Sequence, residues 1–169
     1  EISRFIGIKI DYHEPEEAFI AGLLHDLGKV ILNEHALPEV YKATNMSIEK
    51  ALPINEAEKA ILGFDHAMVG AALAEKWNFP PLLVSSIRFH HTLETDLSPD
   101  EESYPLPIIV GLANILVNMF NNDTAYELFA RHREIIKETS GITEAMLPTL
   151  LPELKQQVIE ANQLAMAIA

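Results

Sequence analysis

The chain has 169 residues, 49% of them hydrophobic, which suits one domain with a real core, is short for two, and argues against intrinsic disorder. Its 25 acidic residues against 12 basic ones leave a net charge of −13, and no basic cluster exceeds Arg131-His132-Arg133, so broad nucleic-acid binding is not expected. With no cysteine, disulfides and thiolate metal sites are excluded, and a reducing cytoplasm is the expected compartment.

The chain opens on Glu1 rather than Met, with no basic region followed by an apolar one. This suggests missing upstream residues, either first helices or an N-terminal domain. Pro15, followed by Glu16, Glu17 and Ala18, reads as the first turn of a helix. Phe19, Ile20, Leu23, Leu24 and Leu27 recur at three- and four-residue steps and predict its buried face. Gly28 lowers helix propensity, so a bend or an end is expected soon after His25-Asp26. Pro38 opens a short second helix through Tyr41. Asn55 and Glu58 read as a capping pair before Ala60, Ile61 and Leu62. Asp65 restarts a helix after Gly63, with His66, Val69, Leu73 and Trp77 expected along one side. Pro80-Pro81 begins the next, which runs through Leu83, Val84 and Ile87 to His90-His91.

Residues 92–104 are acidic and contain Pro99, which predicts a loop. Ile108 to Phe120 predicts a strongly apolar central helix. The apolar run from Leu106 to Val117 is shorter than the roughly 20 residues that span a bilayer and contains Asn114, so no membrane span is expected. Asn121-Asn122-Asp123 ends this helix, and shorter ones follow from Ala125, from Thr143-Glu144 and from Pro152-Glu153. No alternating β pattern and no internal repeat is visible. The expectation is one all-α domain over residues 1–169.

Four of the seven histidines sit at the polar edge of apolar helical faces. His25 ends the string GLLHDLGK beside Asp26, where an imidazole and a carboxylate among leucines need a partner. A divalent metal would satisfy both, since imidazole suits Zn, Fe, Ni and Cu while carboxylate extends the range to Mg and Mn. An Asp–His hydrogen bond with a neutral ring is the simpler alternative, and on the dipeptide alone it is favoured. His66 begins a helix and could be a solvated cap residue. His90 and His91 end another; adjacent imidazoles seldom both face a core, so at least one should reach a cleft. Together, three helices that begin or end in histidine resemble the way helical bundles build metal sites from facing helices. Lys29 could hold a phosphate as a point charge or simply complete a helix end. His13, His35 and His132 are expected on the surface.

GLLHDLGK, then Glu58 ahead of FDHAMVGAALAEKWNFP, then SIRFHH resemble, in order and approximate spacing, the HDOD pattern of the HD superfamily over roughly residues 18–120. The resemblance implies an HD-domain-like helical bundle. Catalytic members bind one to three divalent metals and hydrolyse phosphomonoesters or phosphodiesters, often of nucleotides. By the match, His25 and Asp26 would be central metal ligands, with Asp26 bridging where two metals bind. His66, His90 and His91 fall where the related HD-GYP phosphodiesterases place further ligands, and Lys29 where they place a phosphate-contacting lysine. Asp26 and Lys29 would be the catalytic residues of an active member.

Three departures stand against an active enzyme. Asn114 occupies the neighbourhood of a last ligand that is normally an aspartate, and it offers only a neutral carbonyl oxygen. Nothing matches the family's first histidine, a helix before the His-Asp pair. The segment after His91 lacks the Gly-Tyr-Pro signature of the cyclic-di-GMP enzymes. The resemblance therefore implies first a regulatory output domain of bacterial type with a partly retained, degenerate site. Sensor, receiver or other signalling domains would be its partners. A working phosphohydrolase using Fe, Mn, Ni, Zn or Mg on a phosphoester or nucleotide comes second. A helical interaction scaffold without metal is a distant third.

Overall fold

Small residues and prolines decide how closely the helices approach one another and where they start. In the computed structural model, which describes residues 1–93, 105–120 and 124–168, helix follows helix, with no strand among the described residues. The expected loop over 92–104 and the expected stop at Asn121-Asn122-Asp123 fall mostly or wholly outside them; Thr92 and Leu93 lie in a turn.

α1 (Ile2–Lys9) packs on α2 (Pro15–Leu24), and both lie against α8 (Leu106–Asn118). α3 (Leu27–His35) lies on α6 (His66–Lys76), α6 on α7 (Pro81–Phe89), and α7 on α8. α4 (Leu37–Lys50) and α5 (Ile54–Leu62) form a pair. α9 (Thr124–Arg131), α10 (Arg133–Ser140), a 3-10 turn at Glu144–Met146 and α11 (Leu147–Ile168) complete the described chain. No helix among these residues is long and apolar enough to cross a membrane.

α8 is the axis of the core. Every residue from Leu106 to Ala113 is buried, along with Ile115 and Leu116. A helix apolar on all sides is stable only where neighbours surround it. Here those neighbours include Ile2 and Ile6 of α1, Ala18 and Ala21 of α2, Phe129 of α9, Ile136 of α10 and Leu154 of α11. Burial on this scale is the main stabilising term of such a bundle.

Several details depart from the sequence reading. α1 has no counterpart in it, although Ile2 and Ile6 stand one helical turn apart and both bury. The expected inner face of α2 holds only in part: Phe19, Leu24 and Leu27 are half-buried, but Ala18 and Ala21 face the core, while Ile20 and Leu23 are 45% and 69% exposed. That helix is apolar nearly all round, so periodicity could not choose a side, and close packing chose the small residues. The same happens in α6, where Ala67, Gly70, Ala71 and Ala74 bury while Trp77 is exposed. The short helix expected over Pro38–Tyr41 extends to Lys50 and ends at Ala51 in the left-handed region. Pro152 does not start the last helix but lies inside α11. Leu147, Leu150 and Leu154 bury on both sides of it, and that burial outweighs the lost backbone bond.

The break at His25-Asp26 occurs as expected, but Gly28 has a second role. It lies in the first turn of α3, where a Cβ would fall 1.9 Å from the His66 carbonyl oxygen and 2.7 Å from the Gly70 nitrogen. Only glycine lets α3 rest backbone to backbone on the start of α6. That contact brings the His-Asp pair to His66.

Candidate metal centre

Two helix ends present their imidazoles in the same way. His25 occupies the C-terminal cap of α2, and its Nδ1 lies 2.8 Å from the Gly22 carbonyl. His90 occupies the C-terminal cap of α7, and its Nδ1 lies 2.7 Å from the Ile87 carbonyl. The last carbonyls of a helix lack intrahelical donors. A carbonyl can only accept, so in both rings Nδ1 carries a proton and Nε2 is the atom turned toward Asp26. A Cβ at Gly111 of α8 would meet the His90 carbonyl at 2.9 Å, so this glycine lets α8 seat the end of α7.

His66 is oriented by a carboxylate. Asp65 caps α6 by accepting from the Met68 backbone N–H at 2.9 Å, as its place before the helix suggests, and it also pairs with Lys59 at 2.9 Å. Glu58, buried at 2% exposure, then accepts from the His66 backbone N–H at 2.9 Å and from His66 Nδ1 at 2.5 Å. The expected Asn55–Glu58 capping pair is therefore not formed. α5 begins two residues earlier than that cap implies, at Ile54, with Pro53 as its cap, and the Glu58 side chain turns toward α6 instead. Glu58 is the functional residue that the sequence reading missed; its signal was an acid at a position destined for burial, just ahead of the FDHAM segment.

The three Nε2 atoms converge on Asp26. His66 Nε2 lies 3.2 Å and His90 Nε2 3.7 Å from its Oδ1, while His25 Nε2 lies 3.4 Å from its Oδ2. His91 joins through Nε2, 2.8 Å from Nε2 of His66. Lys29 Nζ donates to Asp26 Oδ2 at 2.7 Å. The ligand atoms of His66, His90 and His91, and those of His25, Asp26 and His90, lie within 4.8 Å of one another. All five residues expected as ligands thus come together from three helix ends, and Lys29 stands beside them.

Asn114 does not join the cluster's bonds. Its Oδ1 accepts from Asn118 Nδ2 at 3.0 Å, and it lines a cleft of about 490 Å³ bordered on another side by His91. Of the three histidines expected on the surface, His13 and His35 are exposed, but His132 is half-buried in the wall of this cleft.

The electrostatics show what the cluster lacks. Asp26 Oδ1 and His90 Nε2 are buried with no hydrogen-bond partner. The His66 approach to Oδ1 is close, but off the line that a hydrogen bond requires. Burial by itself would push the Asp26 carboxyl up. The His66 contact and the charges of His25 and Lys29 outweigh it and hold the group well below the usual carboxylate range. His66 also loses by burial, yet contact with Asp26 and Glu58 raises its pKa overall. Burial, then the charge of His25, brings His90 down to about 3. Burial, then His90 and His66, pushes His91 down too. The result is an ionised carboxylate facing the Nε2 atoms of three rings, with two buried polar atoms, Asp26 Oδ1 and His90 Nε2, unsatisfied. A divalent cation fits this donor set of nitrogen and carboxylate oxygen. The partial negative ends of α2 and α7 also favour a cation there.

The family model described as HDOD domain matches residues 1–93. The chain belongs to the HDOD family. An uncharacterised protein of Treponema pallidum (strain Nichols) is 36% identical over 116 residues, which are 68% of this chain and 22% of that protein. The crystal structure of an HDOD domain protein of unknown function from Geobacter sulfurreducens aligns with TM-score 0.67 and 20% identity, over 94% of this chain and 56% of that one. A proposed phosphohydrolase from Shewanella amazonensis SB2B aligns with TM-score 0.60 and 25% identity, over 90% of this chain and 55% of its own. This HDOD chain therefore spans about a fifth of its curated relative and little more than half of each solved structure. The all-α, HD-like bundle expected from the sequence is the fold observed.

Proposed function

We propose that this chain is a regulatory HDOD output domain, cytoplasmic and coupled to other signalling domains, whose cluster binds a single divalent cation. The observation that carries the cation is the pair of buried, unpartnered atoms, Asp26 Oδ1 and His90 Nε2, among ring nitrogens that converge on one carboxylate. His25, Asp26, His66, His90 and His91 would hold the ion. Once bound, it would supply Lewis acidity and lower the pKa of a bound water. The regulatory reading rests on the charge available. Asp26 is the only carboxylate in either group of ligand atoms among the described residues, Lys29 already occupies its outer oxygen, and Asn114 brings no charge. Two-metal phosphoryl clamps need more negative charge than this to hold both ions.

Metal content measured by inductively coupled plasma mass spectrometry tests it, on protein purified without chelator beside His25→Ala and Asp26→Ala. The expected result is at most one equivalent in the parent and none in the variants, with no hydrolysis of bis(p-nitrophenyl) phosphate. Turnover by the metal-loaded parent that disappears in His25→Ala would instead establish the phosphohydrolase reading, which the grouping of Lys29 with the cluster and the Shewanella amazonensis likeness favour. No metal after incubation with each of Fe, Mn, Ni, Zn and Mg would overturn the cation site.

A further inference from the structure

The cleft on the far side of His91 has the opposite charge balance to the rest of the molecule. Acids outnumber bases 25 to 12 over the whole chain. Among the described residues, the charged side chains lining the cleft are Lys59 and Arg131 against Glu56. Lys59 is paired with buried Asp65 at 2.9 Å, but Arg131 has no carboxylate partner among the described residues. An exposed guanidinium left unpaired on so acidic a protein is unusual, because acids are available nearly everywhere else. Its five donors form a planar fork suited to two oxygens of a carboxylate or phosphate.

The remaining lining supplies what an organic body needs. With the Asn114 Oδ1 accepting from Asn118, the Asn114 amide NH2 is left to donate. Leu52, Ile54, Ile115 and Leu128 add apolar wall. A volume of about 490 Å³ lies in the range of small-molecule pockets. Arg131, His132 and Leu128 come from α9 and the residue after it, beyond the residues 1–93 matched by the family model. This wall lies outside the matched segment.

We propose that this cleft binds a small organic oxyanion, an apolar or aromatic body bearing one phosphate or carboxylate, with Arg131 as its anchor. The binding needs no metal, so it stands or falls separately from the cation site. Isothermal titration of chelator-treated protein with phenyl phosphate, benzoate and benzyl alcohol, each at millimolar concentration, tests it. Phenyl phosphate, benzoate or both should bind, and which of them does identifies the oxyanion; benzyl alcohol should not. Arg131→Gln, at an exposed helix end where folding is not at stake, should weaken the binding about tenfold or more through loss of a charge-assisted contact. Asn114→Ala should weaken it less, and His25→Ala should leave it intact. Absence of binding by both anions, equal binding of benzyl alcohol, an unchanged affinity in Arg131→Gln, or loss of binding in His25→Ala would each overturn the proposal.

Discussion

Replacing Glu58 by glutamine tests whether one buried carboxylate orients the cluster. Its Oε2 accepts two hydrogen bonds from His66, from the backbone N–H at 2.9 Å and from Nδ1 at 2.5 Å. Both are bonds to an ionised acceptor, each contributing roughly 1.5–3 kcal/mol, against roughly 0.5–1.5 for neutral bonds. Glu58→Gln keeps the shape and removes the charge, so the expected destabilisation is about 2–3 kcal/mol, more if the amide presents its NH2 to His66. A domain of ordinary stability, about 5–15 kcal/mol, survives this, so the variant can be studied folded. Loss of Glu58 also frees the His66 ring to rotate, and divalent-metal affinity should fall about 10–100-fold, as when other groups that orient metal-binding histidines are removed. Urea unfolding gives the first quantity and isothermal titration with Mn or Zn the second. Stability within about 0.5 kcal/mol of the parent, together with unchanged metal affinity, would refute the role given to Glu58.

Other perturbations follow from the same geometry. Gly28→Ala places a Cβ 1.9 Å from the His66 carbonyl, and since backbone cannot yield cheaply, the loss should reach about 3 kcal/mol or more, read as a fall in the denaturant midpoint. Asp65→Ala removes the α6 cap and the partner of Lys59, and should cost about 1–2 kcal/mol by the same measurement. In metal-free protein, acid should be destabilising from about pH 6.5 downward, because unfolding lets His90 rise from about 3 to its ordinary value and take up a proton. His90 alone sets a slope of up to about 1.4 kcal/mol per pH unit in that window, and His91 adds to it in the same direction. His66 acts oppositely and elsewhere: its raised pKa contributes stability that is complete below about pH 6.5 and lost as pH climbs through the raised value. A stability that stays flat from about pH 6.5 to pH 4.5 would contradict these assignments.

The helices and the cluster were legible in the sequence to different depths. Prolines and caps mark starts sharply, so the beginnings at Pro15, Asp65 and Pro81 could be read from residue type alone. Which face of α2 and α6 would bury could not, because both are rich in Ala and Leu on every side and tertiary packing decides among nearly equal stripes. The ligand residues were legible because imidazoles at the edges of apolar faces are rare and costly. Glu58 was misread as a cap because its local spacing suits one, and only the proximity of α5 to α6 reveals its bond to His66. The cleft was not legible either. Its walls come from segments far apart in sequence, and Arg131 and His132 look like an ordinary solvated run until the fold sets them in one cleft with residues of α5 and α8.

The bonds that orient His25, His66 and His90 are all short-range in sequence. His25 hooks the carbonyl three residues before it, His90 does the same, and His66 is held by an acid eight residues upstream. Each piece therefore holds its ring at the required angle within its own stretch of chain, and folding has only to dock three preset parts. Such a centre has low contact order at the level of ligand orientation, even though its members meet from distant helices. It should reassemble promptly whenever α2, α6 and α7 find one another, and a peptide spanning Glu58 to His91 already contains two of the three preset rings.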